Sequence, residues 1–296
     1  MTAARTLRAM LDGPEIIVLP GAYDGLSARL AERAGLRAMF STGFGVSASM
    51  LGQPDFGLLT MSETMERVRQ ICGAVSVPVV ADMDTGYGNP LNVQRTVREC
   101  VAAGAGGLIL EDQQWPKKCG HFEGKKVIPA EEHAAKIRAA ADARGDSGLV
   151  IIARTDARAP LGLDEAIRRG RMYRDAGADV VFVEAPQSVD ELRAVKQAIP
   201  DVPLFANMVE GGKTPLLRHD ELQALGYKMV VFPLSALLAA AKAIEAVYGE
   251  LFRTKTTAGM IDALTPFHDF ERIVGVPELR EAEERYGVAA TAVGAP

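Results

Sequence analysis

The sequence predicts an α/β chain folded as a (β/α)8 TIM barrel with a C-terminal helical extension, and three observations point to it. Short apolar or β-rich runs recur at 16–19, 38–41, 79–81, 107–110, 149–153, 180–183, 204–206 and 229–232. Segments with helical periodicity lie between them, at 25–34, 61–74, 90–103, 129–144, 163–176, 189–198 and 220–225. Such alternation means parallel strands, because a right-handed crossover between parallel neighbours needs the intervening helix. The dipeptide Ala-Gly also precedes three of the runs, at Ala34–Gly35, Ala103–Gly104 and Ala176–Gly177, where the glycine can close the preceding helix. Eight units match a closed barrel in number and length, whereas a doubly wound sheet has fewer strands and a domain break. Helical pattern resumes after Leu237 to about Arg253 and again over 262–286. The expected division is therefore a catalytic barrel at 1–250 and a helical appendage at 251–296.

Composition narrows the partners. The chain has 296 residues, 48% hydrophobic, enough to bury a large core. Its formal charge of -5, from 33 basic and 38 acidic residues, comes without basic clusters. That leaves no footprint for nucleic acid or an anionic membrane, and small molecules are the expected partners. No run is long and apolar enough for a signal peptide or a membrane span, so the expected location is the cytoplasm. Cys72, Cys100 and Cys119 are odd in number and widely spaced, which suits a reducing compartment rather than a disulfide framework.

Barrel enzymes carry their chemistry on the loops after the strands. The first two runs end in Pro20-Gly21-Ala22-Tyr23-Asp24 and Thr42-Gly43-Phe44, the third in Asp82-Met83-Asp84, the fourth in Glu111-Asp112. The remaining four end in Arg154-Thr155-Asp156, Glu184, Asn207-Met208-Val209-Glu210 and Pro233-Leu234-Ser235. Carboxylates and an arginine placed directly at strand ends are the informative part.

Asp82 and Asp84, two apart beside Gly86 and Gly88, can aim oxygens at a hard divalent cation, or can satisfy backbone donors in a solvated turn. Asp55, Glu111 and Asp112 at the same end favour the cation, because so many acids would otherwise repel one another. Arg154 can fork onto a substrate carboxylate or phosphonate, or form a structural salt bridge to Asp156 or Glu184. Cys72 and Cys100 sit in helical segments among apolar neighbours and read as buried thiols. Cys119 instead lies among Lys117, Lys118 and His121, where positive charge favours thiolate and suits proton transfer or attack. His133, His219 and His268 read as structural or exposed, Trp115 as packing for the loop, and Lys125-Lys126 as a solvated turn.

With KKCGH after an LED strand end, DMDTGYG after the third run, IIARTDA at the fifth and NMVEGGKTP after the seventh, the chain resembles the isocitrate lyase and phosphoenolpyruvate mutase superfamily. The likeness runs through residues 5–285. It is greatest to the short-chain branch of 2-methylisocitrate lyase, 2,3-dimethylmalate lyase and carboxyphosphonoenolpyruvate phosphonomutase. The resemblance implies a homotetramer in which the final helix is exchanged with a neighbour. It implies magnesium, with manganese as a substitute, at Asp82 and Asp84, with Asp55 and Glu111 nearby. Thr42, Gly43 and Phe44 would hold the 2-oxo acid carboxylate and Arg154 the same ligand, with Asn207, Glu184 and Glu210 on the far side and Pro233 in the pocket. Lys117, Cys119, Gly120 and His121 would belong to a gating loop, Cys119 being the acid that protonates the carbanion-like product. The implied reaction is carbon-carbon cleavage of a substituted 2-hydroxy di- or tricarboxylate. The alternatives are carboxyphosphonoenolpyruvate phosphonomutase, oxaloacetate decarboxylation or hydrolysis, and a non-catalytic dicarboxylate-binding barrel. Asparagine usually replaces the cysteine in pure mutases, and serine stands at Pro233 in oxaloacetate hydrolases, so both positions count against those activities.

Overall fold

The computed structural model describes residues 1–287. Eight strands close into a parallel barrel in chain order. They are β1 (Ile17–Ala22), β2 (Met39–Ser41), β3 (Val79–Asp82), β4 (Gly107–Glu111), β5 (Val150–Thr155), β6 (Val180–Val183), β7 (Leu204–Asn207) and β8 (Met229–Phe232). All eight correspond to the apolar runs. β1 closes on β8, with Ile17 level with Met229 and Pro20 with Phe232. Register sets the mouth of the barrel: Glu111 pairs with Arg154, and Asn207 with Val231, so their side chains leave the sheet at matching heights.

The barrel interior is filled by side chains from alternate positions, among them Leu19, Phe40, Val80, Ile109, Ile152, Phe182, Phe205 and Val231. It is a packed core rather than a channel, as the strand tilt of a closed eight-stranded barrel allows. A second layer lies between strands and helices, where Leu108, Leu110, Ile151 and Ala153 meet Val93, Val97 and Ile137. Several of the helices start on side-chain caps. Asp24 accepts from Ser27 N, Thr60 and Glu63 form a reciprocal box, and Asn89 caps a helix with Pro90 at its first position.

Besides the single turn Arg158–Leu161, two longer helices around the barrel run through segments with no helical expectation. Ala3–Asp12, capped by Thr2, places fully buried Leu7 in the barrel interior cluster. Burying a leucine in this way stabilises by about 1.5–3 kcal/mol. Gly43–Leu51, capped by Thr42, follows β2 directly. Its glycines and serines have poor helix propensity, which is why the segment reads as loop.

The chain divides after Ala239 into two compact units. The second contains most of the helix Ser235–Thr254, then Phe267–Ile273 and Val276–Arg285, none of which has a buried residue. The single helical pattern expected over 262–286 is broken in two. Pro266 precedes the first piece, and Gly275, at φ +84°, separates the pieces. Residues 288–296 of the expected appendage lie outside the described residues.

Candidate active site

Two charged clusters stand side by side at the C-terminal ends of the strands. The first gathers around Lys117. Its ammonium is buried and lies 2.6 Å from both Asp55 Oδ1 and Asp84 Oδ1. Asp82, the last residue of β3, accepts from Gly43 N at 3.3 Å, and its other oxygen accepts from Asp84 N at 3.3 Å. Asp84 turns back at φ +49°, and Gly86 follows at φ +81°, where a Cβ would come within 2.5 Å of Val93. Only glycine fits there. Burial, opposed by Lys117 but reinforced by Asp82 and Asp55, pushes Asp84 up to about 7.

Arg154, the fifth residue of β5, organises the second cluster. Its fork holds Asp156 through Nε–Oδ2 at 2.8 Å and Nη2–Oδ1 at 3.0 Å. It also lies 3.1 Å from Glu184 Oε2 and 3.3 Å from Glu111 Oε2, with its flat face 5.2 Å from the Phe182 ring. Asn207 Nδ2 donates to Glu184 Oε2 at 3.2 Å. Lys125 completes this cluster. It is buried, and its ammonium reaches Asp156 Oδ1 at 2.8 Å and the Gly120 carbonyl. Burial alone would raise Asp156, but Arg154 and Lys125 outweigh it and hold the carboxyl well below its ordinary value.

Between the clusters runs the loop that carries Cys119. Its N–H donates to Asp55 O at 3.1 Å, on the side of the first cluster. Gly120 faces the second: a Cβ there would meet Arg154 Nη2 at 2.4 Å and Glu184 Cδ at 2.7 Å. His121 Nδ1 accepts from Lys213 N at 3.0 Å, so Nε2 carries the hydrogen, and it lies 3.4 Å from Glu184 Oε1. Phe122 packs against Phe44 at 6.2 Å and Phe56 at 5.5 Å between ring centroids, holding the loop over the cavity.

The cavity under the loop is lined by Thr42, Phe44, Asp55, Asp82, Lys117, Cys119, Gly120, His121, Arg154, Glu184, Asn207 and Pro233, twelve of the residues singled out in the sequence. Gly43, Asp84 and Glu111 stand directly behind that lining, bonded to it. Glu210 is exposed, bonds Ser235 Oγ and does not line the cavity. Asp112 turns away from the mouth, contrary to its grouping with Glu111, because successive strand residues face opposite sides. Lys125 is not a solvated turn but a buried ion. The expected thiolate at Cys119 is also corrected. Burial foremost, with Asp55 and Glu184 adding to it against Arg154 and a backbone hydrogen bond, pushes its thiol up to about 11. Lys117 is already engaged by two carboxylates, and Lys118 turns towards Gly124 O and the Phe56 ring.

Among the described residues no three His, Cys, Asp or Glu side chains form a metal cage by themselves. The donors nevertheless fit a hard cation that keeps most of its water. Asp82 and Asp84 are oxygen ligands, the acids around Lys117 outweigh it, and Glu111 Oε1 is buried without a hydrogen-bond partner.

The family model described as phosphoenolpyruvate phosphomutase matches residues 7–252. The chain is 46% identical to 2,3-dimethylmalate lyase of Eubacterium barkeri over 286 residues, 97% of this chain and 99% of that one. It is 46% identical to 2-methylisocitrate lyase of Bacillus subtilis over 246 residues, 83% and 80% of the two chains. A crystal structure of phosphonopyruvate hydrolase in complex with oxalate and magnesium superposes with a TM-score of 0.88 at 35% identity, covering 97% of this chain and 99% of that one. The eight-stranded barrel, its mouth of paired acids and cations, and these likenesses agree that the chain is an enzyme belonging to the phosphoenolpyruvate mutase family, within the isocitrate lyase and phosphoenolpyruvate mutase superfamily.

Proposed function

We propose that this enzyme cleaves a carbon-carbon bond of a substituted 2-hydroxy di- or tricarboxylate, of the 2,3-dimethylmalate or 2-methylisocitrate type. The products are pyruvate or another 2-oxo acid and a smaller carboxylate. The observation that carries this reading is the half-buried thiol of Cys119, which lines the cavity between an acid-rich cluster and an arginine cluster. Relatives named as lyases support it, as do the oxalate and magnesium of the phosphonopyruvate hydrolase complex.

In this mechanism the backbone at Thr42, Gly43 and Phe44 receives the carboxylate next to the reacting carbon, at a helix N-terminus whose dipole favours an anion. Arg154 and Asn207 receive the carboxylate of the departing half, and Glu184, bonded to both, fixes their orientation. The C2 hydroxyl gives its proton to a carboxylate of the wall. The oxygen electrons form the carbonyl, the C2–C3 bond breaks, and its electron pair stays on C3 as an enediolate. Cys119 then delivers its proton to C3, which balances the step and leaves a thiolate for reprotonation. Lys117, between Asp55 and Asp84, places positive charge beside the reacting oxygen. His121 and Gly120 close the lid that excludes water. A divalent cation, magnesium with manganese as a substitute, held by Asp82 and Asp84 with Asp55 and Glu111 beside them, would act as a Lewis acid toward the substrate oxygens.

Purified protein with magnesium should release a 2-oxo acid from at least one of 2,3-dimethylmalate, 2-methylisocitrate, isocitrate or citramalate. Cys119→Ser should lower kcat by about 100-fold or more. No release from any of them would sink the lyase reading, and carbon-phosphorus bond formation followed by phosphorus NMR would then favour the carboxyphosphonoenolpyruvate mutase reading.

We infer a cytoplasmic homotetramer. Phe252 and Phe267 are each 79% exposed and Tyr248 is 67% exposed, apolar surface that suits burial against another copy. Three free cysteines suit a reducing compartment, and among the described residues no helix is long and apolar enough to cross a membrane. A monomer mass by light scattering would overturn the assembly.

A further inference from the structure

We propose that a groove behind the gating loop is a second ligand site, independent of the cleavage reading above. It would take a monoanion with an apolar body, such as an arylalkyl monocarboxylate, whose binding holds the gate closed. The groove lies among the helices Met61–Ala74, Pro90–Ala102 and Ala130–Arg144 and the residues that lead into the loop. It shares no lining residue with the catalytic cavity. Lys136 is its distinctive group. The residue is only 5% exposed, and among the described residues its ammonium has one hydrogen-bond partner, Thr85 O at 3.2 Å, and no ion pair. Glu132, one turn earlier on the same helix, is exposed and forms no ion pair with it. Burial holds the ammonium below its ordinary pKa, opposed by Glu132. A buried ammonium with donors to spare is costly until an anion meets it, and charge-assisted bonds are the strong ones.

The rest of the lining fixes the class of anion. Arg95 adds a second cation and Glu132 an acid, and the other polar groups, from Thr60, Ser62, Thr85, Tyr87 and Gln113, are neutral. One positive charge is left over, which one negative charge balances. Leu58 and Trp115 line the same groove while 53% and 43% exposed, so an apolar body laid on them is removed from water. The catalytic cavity differs, because its acids outweigh its cations and call for a metal ion, whereas an anion in the groove needs none.

The wall between groove and cavity is the gate's own support. Gln113 bonds both backbone groups of Lys118, Nε2 to O at 2.7 Å and Oε1 from N at 3.0 Å. Trp115 packs on Tyr87 at 5.8 Å between ring centroids, and Tyr87 OH donates to Asp84 Oδ2 at 3.3 Å. A ligand lying on Trp115 and Tyr87 contacts them only while the loop is closed, so it favours that state by its differential affinity.

Trp115 is the sole tryptophan, and its fluorescence reports on the groove directly. In EDTA, 3-phenylpropionate should change its emission saturably, while uncharged 3-phenylpropanamide and inorganic phosphate bind at least tenfold more weakly. Lys136→Met should weaken 3-phenylpropionate by about tenfold or more; the comparison of acid with amide decides the matter if this variant does not fold. Saturating 3-phenylpropionate should also slow alkylation of Cys119 by iodoacetamide, followed by peptide mass spectrometry, about fivefold or more. No saturable change, equal binding of acid and amide, or full affinity in Lys136→Met would overturn the site. Binding that appears only with magnesium would place the ligand in the catalytic cavity and overturn it as well. An unchanged alkylation rate would overturn the action on the gate.

Discussion

Glu111 and Asp112 are adjacent residues at the end of β4, both buried and both acidic, yet they serve different networks. Glu111 enters the barrel mouth, approaches Arg154 at 3.3 Å and keeps one oxygen without a hydrogen-bond partner. Asp112 points out to the helix layer and accepts from Thr155 Oγ1, Asp156 N, Arg169 Nη1 and Tyr173 OH, all at 2.7–2.9 Å. The outer network is saturated, so its charge is fixed and neutralised in place. The inner one retains unmet acceptor capacity, which a ligand can use. Incomplete satisfaction of buried charge is costly to the fold and is tolerated where binding completes it.

Arg169→Leu should break the outer network most severely. It leaves Asp112 buried without its cation, and we expect a loss of about 3–5 kcal/mol in chemical denaturation, with kcat per folded molecule preserved. A large loss of kcat at unchanged stability would place Arg169 in the chemistry and erase the distinction.

Lys125→Met probes the inner network. Asp156 keeps Arg154, but Gly120 loses its anchor, so kcat should fall about 10–100-fold through misplacement of the lid, with little change in melting temperature. Lys125→Arg should recover part of that loss. A stability change as large as that of Arg169→Leu, with kcat intact, would make Lys125 a second structural ion.

His133 tests the outer layer through pH, with an effect that vanishes near neutrality. Its ring packs against Tyr173 at 4.6 Å, and burial, aided by Lys136 and Arg169, holds its pKa down to about 3. Below about pH 6.5 the unfolded chain takes up a proton that the folded one refuses. Stability should therefore fall by about 1.4 kcal/mol per pH unit from this residue between pH 6.5 and about 3. His133→Phe should flatten that part of the profile, and an unchanged slope would remove His133 as its source.

The barrel was legible because each strand is a local apolar run, and because Asp82, Glu111, Arg154, Glu184 and Asn207 stand where those runs stop. The helix Gly43–Leu51 was not, since packing rather than propensity holds it. Lys125 was hidden for another reason. A lysine pair after a glycine reads as surface, and only the folded path of the loop carries one of the two to Asp156. The neutral state of Cys119 depended equally on distance, because the lysines beside it in sequence are engaged elsewhere in space. Glu111 and Asp112 could not be separated by composition, although strand alternation holds the signal that assigns them to opposite faces.

That alternation limits how this chain can change over generations. Point replacements at β4 alter one network at a time. A single residue gained or lost between Gly107 and Glu111 would instead exchange the roles of the two acids, sending the saturated one into the mouth and the open one into the helices. Drift along this strand is thus confined to substitution, and length variation has to accumulate elsewhere.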